Sequence, residues 1–187
     1  EPHVSTTVIA AELRISPGNL YYHYPAKEAL VNALVDRYER ALDATLAEAG
    51  DPADAVGAWR LVPALLRLGW DYRFIFRDLN DLLTRNRLVE THFQRILALK
   101  QGAAVKVCQG LAASGVLAAS PGEIRVLATN MTVVATFWLS FEHARRPRGE
   151  PDIGRGVYQV MSLAAPYLQG EARRLLEKLS GEYVDKN

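Results

Sequence analysis

The stretch of sequence that decides the fold is Ser16-Pro-Gly-Asn-Leu-Tyr-Tyr-His-Tyr-Pro-Ala-Lys-Glu-Ala-Leu30. Serine followed by proline is a strong helix start, because the hydroxyl caps the helix and proline fits its first turn. Pro25 interrupts this short helix, and a longer helix opens at Lys27. The segment ahead of it, about 6–13, has the apolar spacing of another short helix. Two short helices joined by a tight turn predict a helix-turn-helix, whose second helix enters the DNA major groove.

The second short helix is expected to bury Leu20 and to leave Gly18, Asn19, Tyr22 and His23 facing outward. The alternative is a generic helical hairpin with no ligand. Clustered hydroxyl and imidazole groups beside a helix N-terminus favour a DNA interface, because such groups and the first helix amides bind phosphate.

The whole chain is predicted to be all-α. Apolar residues recur at three- to four-residue spacing almost throughout, and no segment alternates with a period of two. Beyond the first helices, we expect helices over about 27–49, 87–114 and 121–144, and a last helical region over 153–183. Ser120-Pro121 is a second cap-plus-proline start, and Pro166 is expected to bend or break the last region.

Composition sets further bounds. The 187 residues are 49% hydrophobic and 23% charged, with a net charge of +1, which is ordinary for a globular domain. No apolar run reaches the roughly 18–20 residues of a membrane span, so no membrane partner is predicted. The lone cysteine, Cys108, suits a reducing cytoplasm and is interpreted as a small core residue. Neither a metal-ligand spacing nor a catalytic constellation is present, so we predict no metal, no cofactor and no enzyme activity.

The N-terminal segment resembles the TetR family of bacterial transcriptional regulators. The resemblance is specific over residues 5–34 and is carried by Ile9-Ala10, Leu13, Ile15-Ser16, Gly18-Asn19-Leu20-Tyr21-Tyr22-His23-Tyr24 and Lys27-Glu28-Ala29-Leu30. It implies an all-α homodimer with a small DNA-binding head, here residues 1–46, and a helical ligand-binding and dimerisation body, here residues 47–187. The family begins with a further helix before this segment, so the chain looks truncated at its N-terminus.

The resemblance also implies roles for individual residues. Ser16 caps the recognition helix, and the helix that follows starts with a phosphate-binding lysine. The family often places a capping side chain before that lysine, whereas Ala26 has no capping oxygen. The DNA-binding residues implied are Ser16, Pro17, Gly18, Asn19, Tyr21, Tyr22, His23 and Lys27.

In the body, aromatic side chains at helical spacing are mostly interpreted as core. Those near the middles of the body's helices are the preferred candidates to line a ligand pocket, with one polar residue that could orient the ligand. The predicted ligand-binding residues are Trp70, Phe93, Phe137, Trp138 and Asn130. The apolar helices near 122–144 and 153–168 are expected to pair with their symmetry mates in a homodimer; the alternative is a monomer with a buried central helix.

These inferences together predict a cytoplasmic, sequence-specific transcriptional regulator. It is expected to be a repressor that a small apolar or amphipathic effector releases from a palindromic double-stranded DNA operator. The rival hypothesis from another class is a helical small-molecule carrier or interaction module without DNA binding.

Overall fold

The structure is a computed structural model that describes residues 4–50 and 55–184, and within these residues it is helical with no strand. A single antiparallel bridge joins Leu117 to Leu168. The helices are α1 (Thr6–Glu12), α2 (Pro17–His23), α3 (Lys27–Ala49), α4 (Ala55–Asp71), α5 (Arg73–Arg77), α6 (Leu79–Arg85), α7 (Arg87–Ala113), α8 (Pro121–Arg145), α9 (Ile153–Ser162) and α10 (Gly170–Val184).

The predicted all-α fold is confirmed, and the cap signals explain where its helices begin. The Ser16 hydroxyl accepts a hydrogen bond from the backbone N–H of Asn19 at the start of α2. At the start of α8, Ser120 and Glu123 form a reciprocal capping box, which satisfies two of the amide groups that a helix start leaves unpaired. Pro166 lies in a short 3₁₀ turn that separates α9 from α10, so the predicted break is also found.

The buried residues form two clusters, one along the N-terminal half of α7 and one along its C-terminal half. One cluster joins α3, α5, α6 and α7, with Tyr38, Ile75 and Phe93 among its members. The other joins α4, α7, α8, α9 and α10, with Leu66 and Val160 among its members. Because α7 contributes side chains to both clusters, it connects the part of the body next to α3 with the part formed by the C-terminal helices.

Helix α3 belongs to the head and the body at once. It begins directly after α2, yet its residues Val35, Tyr38 and Leu42 are fully buried in the cluster shared with α5, α6 and α7. A rotation or shift of α3 therefore affects both regions. The division of the chain at residue 46 stays a prediction.

Helix α8 is long and apolar enough to span a membrane by length and composition, although the sequence predicts no membrane-spanning segment. Charged residues close to both ends, such as Glu123 and Glu142, shorten the uninterrupted run. One face of α8 is buried in the body, where Leu127, Met131 and Leu139 belong to the core. Its apolar character is thus partly explained by packing inside a globular protein.

Candidate DNA interface and ligand cavity

The turn between α1 and α2 is closed by the chain itself. The N–H of Ile15 donates to the carbonyl of Ala10, and the N–H of Arg14 donates to the carbonyl of Ala11, both at 3.0 Å. This is the Schellman arrangement, which places the residue after the cap in the left-handed region. Arg14 occupies that position with φ of 55°, where glycine is usual. The backbone hydrogen bonds therefore fix the angle between the two helices at a small conformational cost.

The two helices pack through small and apolar groups and leave the other face of α2 in solvent. Leu20 is buried, as predicted, Ala10 is also buried, and Ile15 is half-buried in the turn. On the opposite face, Tyr22 is 84% exposed and Tyr21 is 66% exposed. Large aromatic side chains this exposed contribute little to the core, so they are free to contact another molecule.

The N-terminal end of α2 presents an open backbone. Pro17, Gly18 and Asn19 are all exposed. A Cβ added to Gly18 would meet no atom closer than the Ser16 hydroxyl oxygen, at 4.0 Å, so packing within the chain does not require a glycine here. Its missing side chain leaves room for the backbone of a second molecule to come close, next to the amide groups of a helix start.

Hydrogen-bond donors, rather than net charge, dominate this surface. Over residues 4–34, Arg14 and Lys27 balance Glu12 and Glu28. His23 is exposed at the end of α2, and its ring lies edge-on to that of Tyr22, with centroids 5.2 Å apart. Lys27 is half-buried at the first position of α3, where Ala26 supplies no side-chain cap. The structure thus groups all eight predicted DNA-binding residues at α2 and the start of α3.

Comparisons with known proteins agree with this geometry. A family model described as bacterial regulatory proteins of the tetR family matches residues 3–34. A second model, described as a bacterial transcriptional repressor, matches residues 37–176, about three quarters of the chain. The chain belongs to the TetR family. Its fold is similar to the crystal structure of a TetR-family transcriptional regulator from Marinobacter aquaeolei VT8, with a TM-score of 0.83 and 28% identity over 97% of this chain and 89% of that one.

Among curated proteins, no sequence is significantly similar to this chain. Membership of the TetR family makes it a DNA-binding transcriptional regulator, and dimerisation and ligand binding are typical of that family.

The body of this TetR-family protein contains a cavity of about 300 Å³. Side chains from α4, α7, α8, α9 and α10 line it, and nearly all of them are apolar. Leu175 of α10 lines the cavity and is half-exposed, so the cavity reaches the surface beside α10. An apolar cavity with few polar groups is typical of a small-molecule site.

One charged side chain, Lys100 of α7, lines this otherwise apolar cavity and is only 4% exposed. Its ammonium donates a long hydrogen bond, 3.4 Å, to the hydroxyl of Thr136 on α8. It also lies 5.3 Å from the ring centroid of Phe76 and 5.9 Å from that of Tyr38, close enough for cation–π attraction. Among the side chains that the structure describes, no carboxylate pairs with it. Burial lowers the pKa of Lys100 from 10.5 to about 8, so the amine is mostly protonated near neutral pH.

The other polar groups of the cavity are already engaged or weakly polar. The Thr132 hydroxyl donates to the carbonyl of Ala128 in its own helix, at 2.8 Å. The Cys108 thiol lies 4.0 Å from the sulfur of Met131, and burial raises its pKa to about 11. Cys108 is therefore an unreactive core thiol, and Lys100 is the polar group best placed to meet a ligand.

The five residues predicted to contact ligand do not line this cavity. Phe93 and Trp138 are buried in the two core clusters, and the indole N–H of Trp138 donates to the carbonyl of Asp152 at 3.2 Å. Trp70 packs beside the core under the guanidinium of Arg73. Phe137 and Asn130 are exposed on α8. The large aromatic rings fill space between helices, so the cavity lies where smaller side chains leave a gap.

Sequence reasoning missed Lys100, although its position carries a signal. Residues Val89, Phe93 and Ile96 form the buried stripe of α7, and Lys100 continues that stripe at helical spacing. A lysine on a buried stripe is rare unless it is paired or functional.

An apolar stripe on α8 remains uncovered. Val126, Val133, Phe137 and Phe141 recur at seven- and four-residue intervals, and all are exposed. Val133 is 51% exposed and Phe141 is 54% exposed. Large apolar side chains aligned on one exposed helix face are a candidate surface for contact with another molecule.

Polar contacts tie α3 to α7 along the length that separates the head from the cavity. The amide of Asn86 donates to the side-chain oxygen of Asn32 at 2.8 Å. Further along, the His92 ring nitrogen Nδ1 shares a hydrogen bond with the carboxylate of Glu39. Together with the ring of Tyr38 beside Lys100, these contacts join α3 to α7 and its N-cap at three points.

Proposed function

We propose that this protein is a homodimeric repressor that binds a palindromic operator and leaves it when a small amphipathic molecule occupies the cavity of the body. The observation that carries the DNA-binding part is the exposed face of α2 on a fixed helix-turn-helix. Such a regulator acts in the cytoplasm, where it meets the chromosome, and it requires no enzyme activity.

In the proposed complex, α2 lies in the major groove. The open backbone at Gly18 comes close to DNA, and Asn19 and Tyr22 reach toward base edges. The side chains of Tyr21, His23 and Lys27 contact phosphates. Ser16 and Pro17 lie at the start of α2 and contact the phosphate backbone there. The support for these roles is exposure and donor chemistry. With so few charges on this surface, we expect a weaker salt dependence than a strongly basic head would give.

The proposed dimer forms through α8 and through the segment 153–168. The support is the uncovered stripe of α8 that includes Val133 and Phe141. Two copies of this stripe related by a two-fold axis would cover each other. The same axis would place the two α2 helices one helical turn, or a multiple of it, apart on DNA.

The proposed coupling runs from the cavity to the head through α7 and α3. A ligand beside Lys100 changes the surroundings of Tyr38, which α3 carries into the shared core. A shift of α3 then changes the spacing of the two recognition helices. Because a ligand can only favour the state that it binds better, operator DNA must weaken ligand binding by the same factor by which ligand weakens DNA binding.

The test of the DNA-binding role is the double substitution Tyr22→Ala with His23→Ala. Both side chains are exposed, so DNA binding should be lost while the melting temperature and the dimer remain close to wild type. The matched control is Gln94→Ala with Arg95→Ala, which removes two exposed side chains, one of them basic, from α7. Unchanged DNA affinity in the head variant, or loss of its fold, would contradict the assignment of faces.

The same assay separates the rival function. A helical carrier that uses the cavity alone would bind small molecules but show no sequence preference for DNA. Equal, weak binding of wild type and the head variant to every duplex would therefore favour the carrier.

A further inference from the structure

We propose that the cavity binds a medium-chain monocarboxylic acid, whose carboxylate accepts a charge-assisted hydrogen bond from the Lys100 ammonium while its chain fills the apolar remainder. This inference rests on the proposed ligand-responsive function and names the chemical class of the ligand.

The charge of the ligand follows from the surroundings of Lys100. The ammonium is 4% exposed, and its one hydrogen bond within the described residues is the 3.4 Å contact with Thr136. The rings of Phe76 and Tyr38 offer their faces but no negative charge. A buried ammonium without a counter-ion is costly, and a carboxylate that reaches it gains a strong, short hydrogen bond.

The ligand should carry one negative charge and a single polar end. Lys100 contributes one positive charge, and the Thr132 hydroxyl already donates to its own helix. A phosphate or a dicarboxylate would bring further oxygens into apolar surroundings with no donors to meet them. A neutral alcohol would fit the shape but leave the ammonium uncompensated.

The size of the ligand follows from the volume of the cavity. The volume of about 300 Å³ lies at the lower end of the roughly 300–1,000 Å³ range of small-molecule sites, which suits a short acid. Octanoate is a probe of this size class. The acid can enter where Leu175 reaches the surface beside α10, and the Lys100 ammonium lies beside Thr136 of α8 and the rings of Phe76 and Tyr38.

The test is isothermal titration calorimetry of the whole protein with hexanoate, octanoate, decanoate and octanol. Wild type should bind octanoate more tightly than octanol by at least about tenfold, the effect of one hydrogen bond to a charged group. Lys100→Met should lose about that factor for octanoate and keep its affinity for octanol, because methionine has a similar length and remains apolar. The control is Lys106→Met, which removes the same charge from an exposed position of α7.

Three results would overturn the proposal. They are equal affinities of wild type for octanoate and octanol, equal octanoate affinities of wild type and Lys100→Met, and no binding of any of the three acids. DNA affinity is measured separately by fluorescence anisotropy. Octanoate binding that leaves DNA affinity unchanged would refute the proposed coupling and keep the carboxylate site, whereas palindrome binding without acid binding would refute the site and keep the regulator.

Discussion

Replacing Lys100 by methionine is expected to stabilise the ligand-free protein. The ammonium is buried beside aromatic rings with one long hydrogen bond, so the folded state disfavours its charged form. Methionine has a similar length and no charge to desolvate. A residue kept for binding at the expense of stability is common in functional sites.

The size of the effect follows from the lowered pKa. The pKa of Lys100 falls from 10.5 in an unfolded chain to about 8 in the folded protein. At about 1.36 kcal/mol for each pH unit, this difference destabilises the folded state by about 3 kcal/mol near neutral pH. The Lys100→Met protein has no buried charge and so avoids this cost. Its free energy of unfolding should therefore exceed that of wild type by up to about 3 kcal/mol.

The pH dependence has a definite sign. Below pH 8 the lysine is charged in both states, and the full penalty applies. Between pH 8 and 10.5 the folded protein loses the proton before the unfolded chain does, so the wild type gains stability as pH rises. The stability gap between Lys100→Met and wild type should therefore be constant below pH 8 and close above it.

The assay is urea denaturation of wild type, Lys100→Met and the exposed control Lys106→Met at one protein concentration, because the stability of a dimer depends on concentration. The control should change the free energy of unfolding by less than about 0.5 kcal/mol. A Lys100→Met protein that is less stable than wild type near neutral pH, or a gap that does not depend on pH, would refute the reasoning.

Two further predictions concern packing and assembly. Gly156→Ala should lower the free energy of unfolding by about 1–3 kcal/mol, because its Cβ would lie 2.6 Å from Cδ1 and Nε1 of Trp138; a melting temperature equal to wild type would contradict this. Val133→Glu with Phe141→Glu should convert the dimer to a folded monomer in light scattering, because both side chains lie on the uncovered stripe of α8. Leu88→Glu, an equally exposed apolar position on α7, should leave the dimer intact. A double variant that stays dimeric would place the interface elsewhere.

Local sequence signals were sufficient to predict where several of the helices begin and end. Ser16-Pro17 and Ser120-Pro121 start α2 and α8 because a hydroxyl cap and a proline act within one helical turn. The break after α9 is also a local effect, because Pro166 has no N–H to donate the hydrogen bond of a continuing helix. The exposure of Tyr22 and His23 also followed locally, because a short helix that buries Leu20 must turn the opposite side outward.

The ligand cavity could not be predicted in this way, because it depends on distances between helices that are far apart in sequence. Phe93 and Trp138 were chosen as large aromatics, but large side chains fill the space between helices and leave none. Small residues such as Ala103 and Ala135 line the cavity instead. The burial of Lys100 could have been predicted from the sequence, because its helical spacing places it on the buried stripe of α7. Its exact surroundings required the positions of Phe76 and Thr136.

The central claim is that α2 reads DNA sequence as part of a symmetric dimer. The most direct test is a selection of random duplex DNA on the purified protein at a stated salt concentration, followed by sequencing. We expect enrichment of a palindrome whose half-sites lie one helical turn, or a multiple of it, apart. Absence of any enriched sequence from a folded dimer, or enrichment that Tyr22→Ala with His23→Ala leaves unchanged, would contradict it.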